Sequence, residues 1–110
     1  MYEKLDELIL MTEACTKSLW SCKIEGFRNE FPGVIDRLIG VLPQIIMSYS
    51  DPKMADISSD AMYWPEQMEK IVSLANDGGD IIALSDALYH ELRANLIDYK
   101  NTLMQREVSV

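Results

Sequence analysis

The sequence predicts an all-α protein, an up-down-up-down four-helix bundle with proline kinks in helices two and three. Three observations predict it. Apolar residues recur at three-four spacing through four stretches, and short connections rich in Pro, Gly, Asn and Asp divide those stretches. β-Branched residues nowhere alternate with polar ones over the length a strand requires.

Helix one is expected from Tyr2 to about Arg28. Leu5, Leu8, Thr12, Cys15, Leu19, Cys22 and Gly26 form one face. A second stripe of Ile9, Thr16, Trp20, Ile24 and Phe27 lies beside it, giving an apolar face wider than one neighbour needs. The break is expected at Asn29-Glu30-Phe31-Pro32-Gly33, because proline disfavours helix in the residue before it and suits a first helical turn.

Helix two then runs to about Tyr49. Val34, Ile35, Leu38, Ile39, Val41, Leu42, Ile45 and Ile46 make it apolar nearly all round, which predicts the most buried element. Pro43 removes one amide donor and leaves the Ile39 carbonyl without its helical partner, so a bend is expected near Gly40.

Ser50-Asp51-Pro52 starts helix three, a capping side chain followed by a first-turn proline. Met54, Ile57, Ala61, Trp64, Met68, Ile71 and Ala75 keep their spacing through Pro65, which predicts one helix kinked on the Ala61 to Pro65 turn. Asn76-Asp77-Gly78-Gly79-Asp80 is a stop and restart, with Asp80 as the next N-cap. Helix four carries Ile81, Leu84, Leu88, Leu92, Leu96, Tyr99 and Leu103. Residues 1–104 thus make a single helical-bundle domain, and 105–110, without periodicity, are expected as a frayed tail.

Charge narrows the function classes. The chain has 110 residues, with 10 Lys and Arg against 18 Asp and Glu, a net of -8. Residues 56–110 carry 10 of the acids and 4 of the bases, and such a field repels phosphate backbones, so nucleic-acid binding is not expected. A basic partner would be steered in. The longest strongly apolar stretch, Val34 to Met47, contains Asp36 and Arg37 and falls short of the roughly 20 residues a membrane span needs. The N-terminus lacks the basic and apolar regions of a signal peptide, so a cytoplasmic location is expected.

Candidate chemistry is sparse. Cys15 and Cys22 lie two helical turns apart, about 10 Å, beyond the reach of a disulfide. Both fall on the core stripe of helix one, where a thiol acts as a small hydrophobe. His90 shares a helix face with Asp86 and adjoins Glu91, the outline of half a metal site, although a di-iron bundle needs a Glu-x-x-His pair from each of two helices. Asp77-Gly78-Gly79-Asp80 lacks the alternating ligands of a calcium loop and is accounted for by capping. No phosphate-binding glycine loop, nucleophile elbow or zinc cluster is present, so a non-catalytic role without cofactor is the expectation.

Two apolar clusters suit partner binding. Met54, Met62 and Met68 lie close in sequence to Tyr63, Trp64 and Pro65, and Met-rich surfaces repack around varied partners. Trp20, Ile24, Phe27 and Phe31 are large side chains on a secondary stripe, of the kind that anchors a helix in a groove or a dimer contact.

The run Gly79-Asp80, then Leu84-Ser85-Asp86-Ala87-Leu88, then Glu91-Leu92 and Leu96 is similar to the last helix of a group of small bacterial all-helical domains without assigned activity. The resemblance covers residues 79–96 and singles out Asp80, Asp86 and Glu91. Those domains carry a further proline after Glu-Leu, where this chain has Arg93-Ala94-Asn95. It implies an accessory role beside motility or surface-glycosylation functions.

The expected function is therefore a non-catalytic cytoplasmic protein-interaction module: an adaptor, chaperone or regulator of another bacterial protein. Its contact residues would be Trp20, Ile24, Phe27, Phe31, Met62, Tyr63 and Trp64. The partner would be a protein with a basic surface, or a second copy of the chain. The alternative is a metal or small-ligand binding bundle, with or without enzymatic activity, using Asp86, His90 and Glu91. A third reading is an acidic mimic occupying a nucleic-acid-binding groove.

Overall fold

A computed structural model describes residues 2–76 and 80–108. Among them the chain forms four helices and no strand, an all-α four-helix bundle. α1 spans Tyr2–Trp20 and α2 spans Ile24–Ser48. A 3-10 segment, Pro52–Met62, leads into α3, Tyr63–Asn76. The last helix, α4, is built of three consecutive stretches: Ile81–Asp86 with α winding, Ala87–Arg93 with π winding and Ala94–Gln105 with α winding.

The first boundary differs from the sequence expectation. Helix one ends at Trp20 rather than near Arg28, and the turn is Ser21-Cys22-Lys23. Cys22 takes the left-handed conformation with φ 57°. Its amide donates to the Leu19 carbonyl at 3.1 Å, and the Lys23 amide donates to the Ser18 carbonyl at 2.9 Å. This is the paired bonding that closes a helix C-terminus, with cysteine where glycine usually stands. The reversal folds α2 back along α1. Ser18 Oγ reaches Glu30, and Arg37 pairs with Glu7 at 2.7 Å, so partner numbers rise on α2 as they fall on α1.

Pro32 consequently lies inside α2 rather than at its start, and α2 continues through Pro43 as well. Both prolines are exposed, as are Arg28 and Ile39, whose carbonyls lose a helical donor. Solvent can reach these residues, which keeps the cost of each interior proline down.

α2 is also less buried than its composition suggests. Val34, Leu38, Val41, Ile45 and Ser48 face the bundle, while Ile39 is 52% and Met47 73% exposed. At 25 residues it is long and apolar enough by length and composition to cross a membrane, longer than the Val34 to Met47 stretch alone implies.

Helix three begins at the expected cap, where Asp51 accepts the Lys53 amide at 2.9 Å. Its first eleven residues wind as 3-10 helix, interrupted at Ile57 with φ -120° and ψ 19°. The change to α winding falls at Met62 to Tyr63, within the Ala61 to Pro65 turn, so Pro65 stands in the first turn of the α-wound stretch.

α4 lies antiparallel to α1, with Asp6 paired to Lys100, Glu13 to Arg93, and the Trp20 ring packed on Tyr89. Asp80 caps its start through the Ala83 amide; the expected Asp77-Gly78-Gly79 turn lies outside the described residues. Of the tail expected to fray, residues 105–108 are described, and they close the helix. Glu107 is left-handed at φ 54°, the Val108 amide donates to the Leu103 carbonyl at 3.0 Å, and Val108 and Leu103 are both buried. That is the same C-terminal closure as at Cys22, with its customary apolar contact. Arg106 adds bonds to Asp56 and to the Lys53 carbonyl.

Leu5, Leu8, Leu38, Ile45, Met54, Ile71, Leu88, Leu92, Leu96 and Leu103 are fully buried at the centre. Thr12 and Thr16 share that core because each hydroxyl donates to the carbonyl four residues back, at 2.7 Å. The bundle measures 44 × 23 × 20 Å, which leaves two well-separated ends.

Candidate functional site

Each end holds a cleft. At the end where α1 turns into α2, Leu19, Ile24, Phe27, Phe31 and Pro32 face Leu74, Ala75, Ile81 and Leu84 across a cavity of about 360 Å³. The Cys22 reversal builds this wall by placing Ile24 in the first turn of α2, so that Phe27 and Phe31 follow one and two turns on. The Phe27 and Phe31 rings stack with centroids 5.1 Å apart. Arg28 and Asp80 supply the charged lip, and Ile24, half-exposed Ile81 and exposed Ile82 stand near it in sequence and fold.

Of the four residues grouped from sequence, Ile24, Phe27 and Phe31 therefore meet in one groove. Trp20 does not line it. It stands 52% exposed on the α1–α4 side, its ring centroid 4.9 Å from that of Tyr89, which also carries the Arg93 guanidinium 4.5 Å above its centre. Leu74 and Leu84 were missed as groove residues because core periodicity alone gives no sign of an opening.

The opposite cleft is polar and aromatic, with a volume of about 320 Å³. Tyr49, Tyr63, Trp64 and Tyr99 line it together with Ile57, Asp60, Asn95, Asp98 and Thr102. Trp64 Nε1 donates to Tyr49 Oη at 3.0 Å, and Tyr99 Oη lies 2.6 Å from Ser48 Oγ. Asn95 Nδ2 donates to Tyr63 Oη, which donates to Gln67 Oε1, and Gln67 Nε2 reaches the Ala87 carbonyl at the head of the π segment. Burial pushes the Tyr49, Tyr63 and Tyr99 hydroxyls up, Tyr99 to about 12, so the three phenols stay neutral.

The second expected cluster thus separates. Tyr63 and Trp64 turn into this cleft, whereas Met62 is 66% exposed and does not line it. Met54 is fully buried and Met68 packs against the core. Tyr49, Asp60, Asp98 and Tyr99 escaped notice because they lie on three different elements, and only the folded chain brings them together.

The histidine cluster is open and loose. His90 Nε2 stands 3.9 Å from Asp86 Oδ1 with both side chains mostly exposed, and Glu91 turns away to pair with Lys70 at 2.8 Å. Among the described residues no three His, Cys, Asp or Glu side chains converge as metal ligands.

Of the two thiols, only Cys22 departs from expectation. Cys15 is buried, and burial together with nearby Glu30 pushes it up to about 12, whereas Cys22 is exposed in the turn rather than in the core. Compared with known proteins, the chain matches no family model, no curated protein and no solved structure.

Proposed function

We propose that this protein is a non-catalytic interaction module of the cytoplasm that seats an amphipathic helix of another protein in the groove of Ile24, Phe27 and Phe31. The observation that carries the reading is the groove itself: an open, mainly apolar cleft of about 360 Å³ between α1, α2, α3 and α4. Such clefts take apolar anchors spaced one turn apart on a partner helix. A net charge of -8 favours a partner whose solvent face carries Lys and Arg.

The test is a pull-down followed by crosslink mapping of the captured protein, run with wild type and with Ile24→Ala combined with Ile81→Ala, both on the groove wall. Both side chains are well exposed, so the helicity of the variant should not change. The expected result is a basic amphipathic segment crosslinked at the groove, with affinity weakened about tenfold or more in the variant. Equal binding by the double variant would sink the reading.

A second reading, self-association, is favoured by α2. Ile39 and Ile46 are exposed on its outward side, flanked by Ile35 and Leu42, which are partly buried against the core, and no Asp, Glu, Lys or Arg occurs from Leu38 to Ser50. Two acidic copies could meet along this uncharged stripe without facing like charges. Light scattering over a concentration series distinguishes it, since Ile39→Lys should return a dimer to monomer, and a wild-type monomer throughout removes it.

A further inference from the structure

We propose that two copies of the chain pair through the second half of α2, in an antiparallel, two-fold symmetric crossing centred on Pro43. This pairing rests on the self-association reading above and gives it a direction and a register.

On the outward side of α2, Ile39 is 52%, Ile46 38% and Met47 73% exposed, and Gly40, Pro43 and Gln44 are exposed between them. Three- and four-residue spacing puts Gly40, Pro43 and Met47 in one line along the helix, with Ile39 and Ile46 beside it. The result is an accessible apolar seam with a hollow at Gly40.

Charge names the occupant. No Asp, Glu, Lys or Arg occurs from Leu38 to Ser50, whereas the outward faces of the other helices carry exposed carboxylates: Asp6 and Glu7 on α1, Glu66 and Glu69 on α3, Asp86 and Asp98 on α4. In a chain of net charge -8, two copies meeting on those faces set like charges against each other. Along the second half of α2 they meet without that repulsion.

The same residues fix the direction. In a parallel pairing each residue faces its own copy, so Asp36 opposes Asp36, Arg37 opposes Arg37, and the two Gly40 hollows face each other across a gap. In an antiparallel pairing about Pro43, Asp36 falls opposite Ser50, Ile39 opposite Met47 and Gly40 opposite Ile46. A carboxylate then meets a hydroxyl, and Ile46 enters the hollow over Gly40, where an added Cβ would touch nothing within 4 Å of its own chain. The stretch from Asp36 to Ser50 is about 22 Å long. A seam one helix wide over that length buries less than the roughly 800 Å² per partner of a standard interface, so the dimer is a weak, concentration-dependent one. Ile24, Phe27 and Phe31 lie in the first half of α2, and their groove stays open.

Light scattering of the full chain from about 10 µM to about 1 mM, joined to crosslinking in a Cys22→Ser background, tests this. Asp36→Cys and Ser50→Cys place thiols at exposed sites outside the apolar contact. Antiparallel pairing brings position 36 of one copy beside position 50 of the other, while like positions stand about 21 Å apart along the helix. A short bismaleimide is therefore expected to link the two variants when mixed and neither one alone. Gly40→Leu fills the hollow and should weaken the dimer about tenfold, with circular dichroism checking that the fold is kept. A monomer at every concentration overturns the self-association reading and the crossing with it. A dimer in which either variant links to itself, in which the mixed variants fail to link, or which Gly40→Leu leaves unchanged overturns the crossing alone.

Discussion

Tyr99 Oη lies 2.6 Å from Ser48 Oγ, and both residues are buried where α4 passes the end of α2. Ser48 Oγ also donates to the Ile45 carbonyl at 2.6 Å, so its single proton is committed and Tyr99 must be the donor between them.

That direction makes the two substitutions unequal. Tyr99→Phe leaves Ser48 bonded to Ile45 and should cost about 1 kcal/mol, the net worth of one neutral hydrogen bond. Ser48→Ala strands a buried phenol proton and should cost about 2 kcal/mol, although each substitution removes a single hydroxyl oxygen. Urea unfolding of both variants checks the order, and a larger loss for Tyr99→Phe would reverse the donor assignment.

Gly40 sits inside α2 on an exposed face, and a Cβ built there meets nothing within 4 Å. Glycine in that setting carries the entropy cost of a flexible residue without any gain in space or conformation. Gly40→Ala should stabilise the fold by about 0.5 to 1 kcal/mol, read as a rise in the urea midpoint. By contrast, a Cβ at Gly33 would come within 3.0 Å of the Met11 methyl, so Gly33→Ala should gain less.

The same residues explain which parts of the fold were legible. The stripe of α1 could be read because Leu5, Leu8, Cys15 and Leu19 bury one face of a helix with regular winding, which is what periodicity encodes. In α4 the four-residue repeat of Leu84, Leu88, Leu92 and Leu96 still marks the buried face, but it gave no sign of the π winding over Ala87–Arg93. The turn at Cys22 was not, because left-handed backbone is normally announced by glycine or asparagine and here only hydrogen bonding to Ser18 and Leu19 announces it. Pro32 then misled in the opposite direction, since a strong local breaker is tolerated inside α2 wherever solvent can reach the carbonyl it frees. The groove was legible in part, as Ile24, Phe27 and Phe31 lie on one helix and share its periodicity. The aromatic cleft was not, because Tyr49, Asp60 and Tyr99 are brought together only by tertiary packing.

Cys22 supplies a direct test of that turn. A non-glycine residue held left-handed costs roughly 1 to 2 kcal/mol, part of which glycine returns as added freedom in the unfolded chain. Cys22→Gly should therefore raise stability by about 0.5 to 1 kcal/mol, and the β-branched Cys22→Val should lower it by a similar amount. Thermal unfolding of the pair distinguishes this turn from one in which the residue has ordinary helical φ, where valine would be favoured over glycine.

Alkaline pH should unfold the protein through two buried groups. Cys15 rises from 9.0 to about 12, first through burial and then through Glu30, and Tyr99 rises from 10.0 to about 12, chiefly through burial. In each case the folded state holds its proton more tightly than the unfolded state. Above pH 9 the unfolded chain therefore binds fewer protons than the native one, and stability falls as pH rises. The contribution is complete below pH 9 and is lost progressively toward pH 12, the thiol acting first and the phenol joining above pH 10. Urea midpoints measured in steps from pH 8 to pH 11 should decline, with the onset near pH 9 absent in Cys15→Ala. That variant starts from lower stability because it leaves a cavity, so the slope rather than the absolute midpoint is the quantity to compare. An identical slope in wild type and variant between pH 9 and pH 10 would assign the early loss to a group other than Cys15.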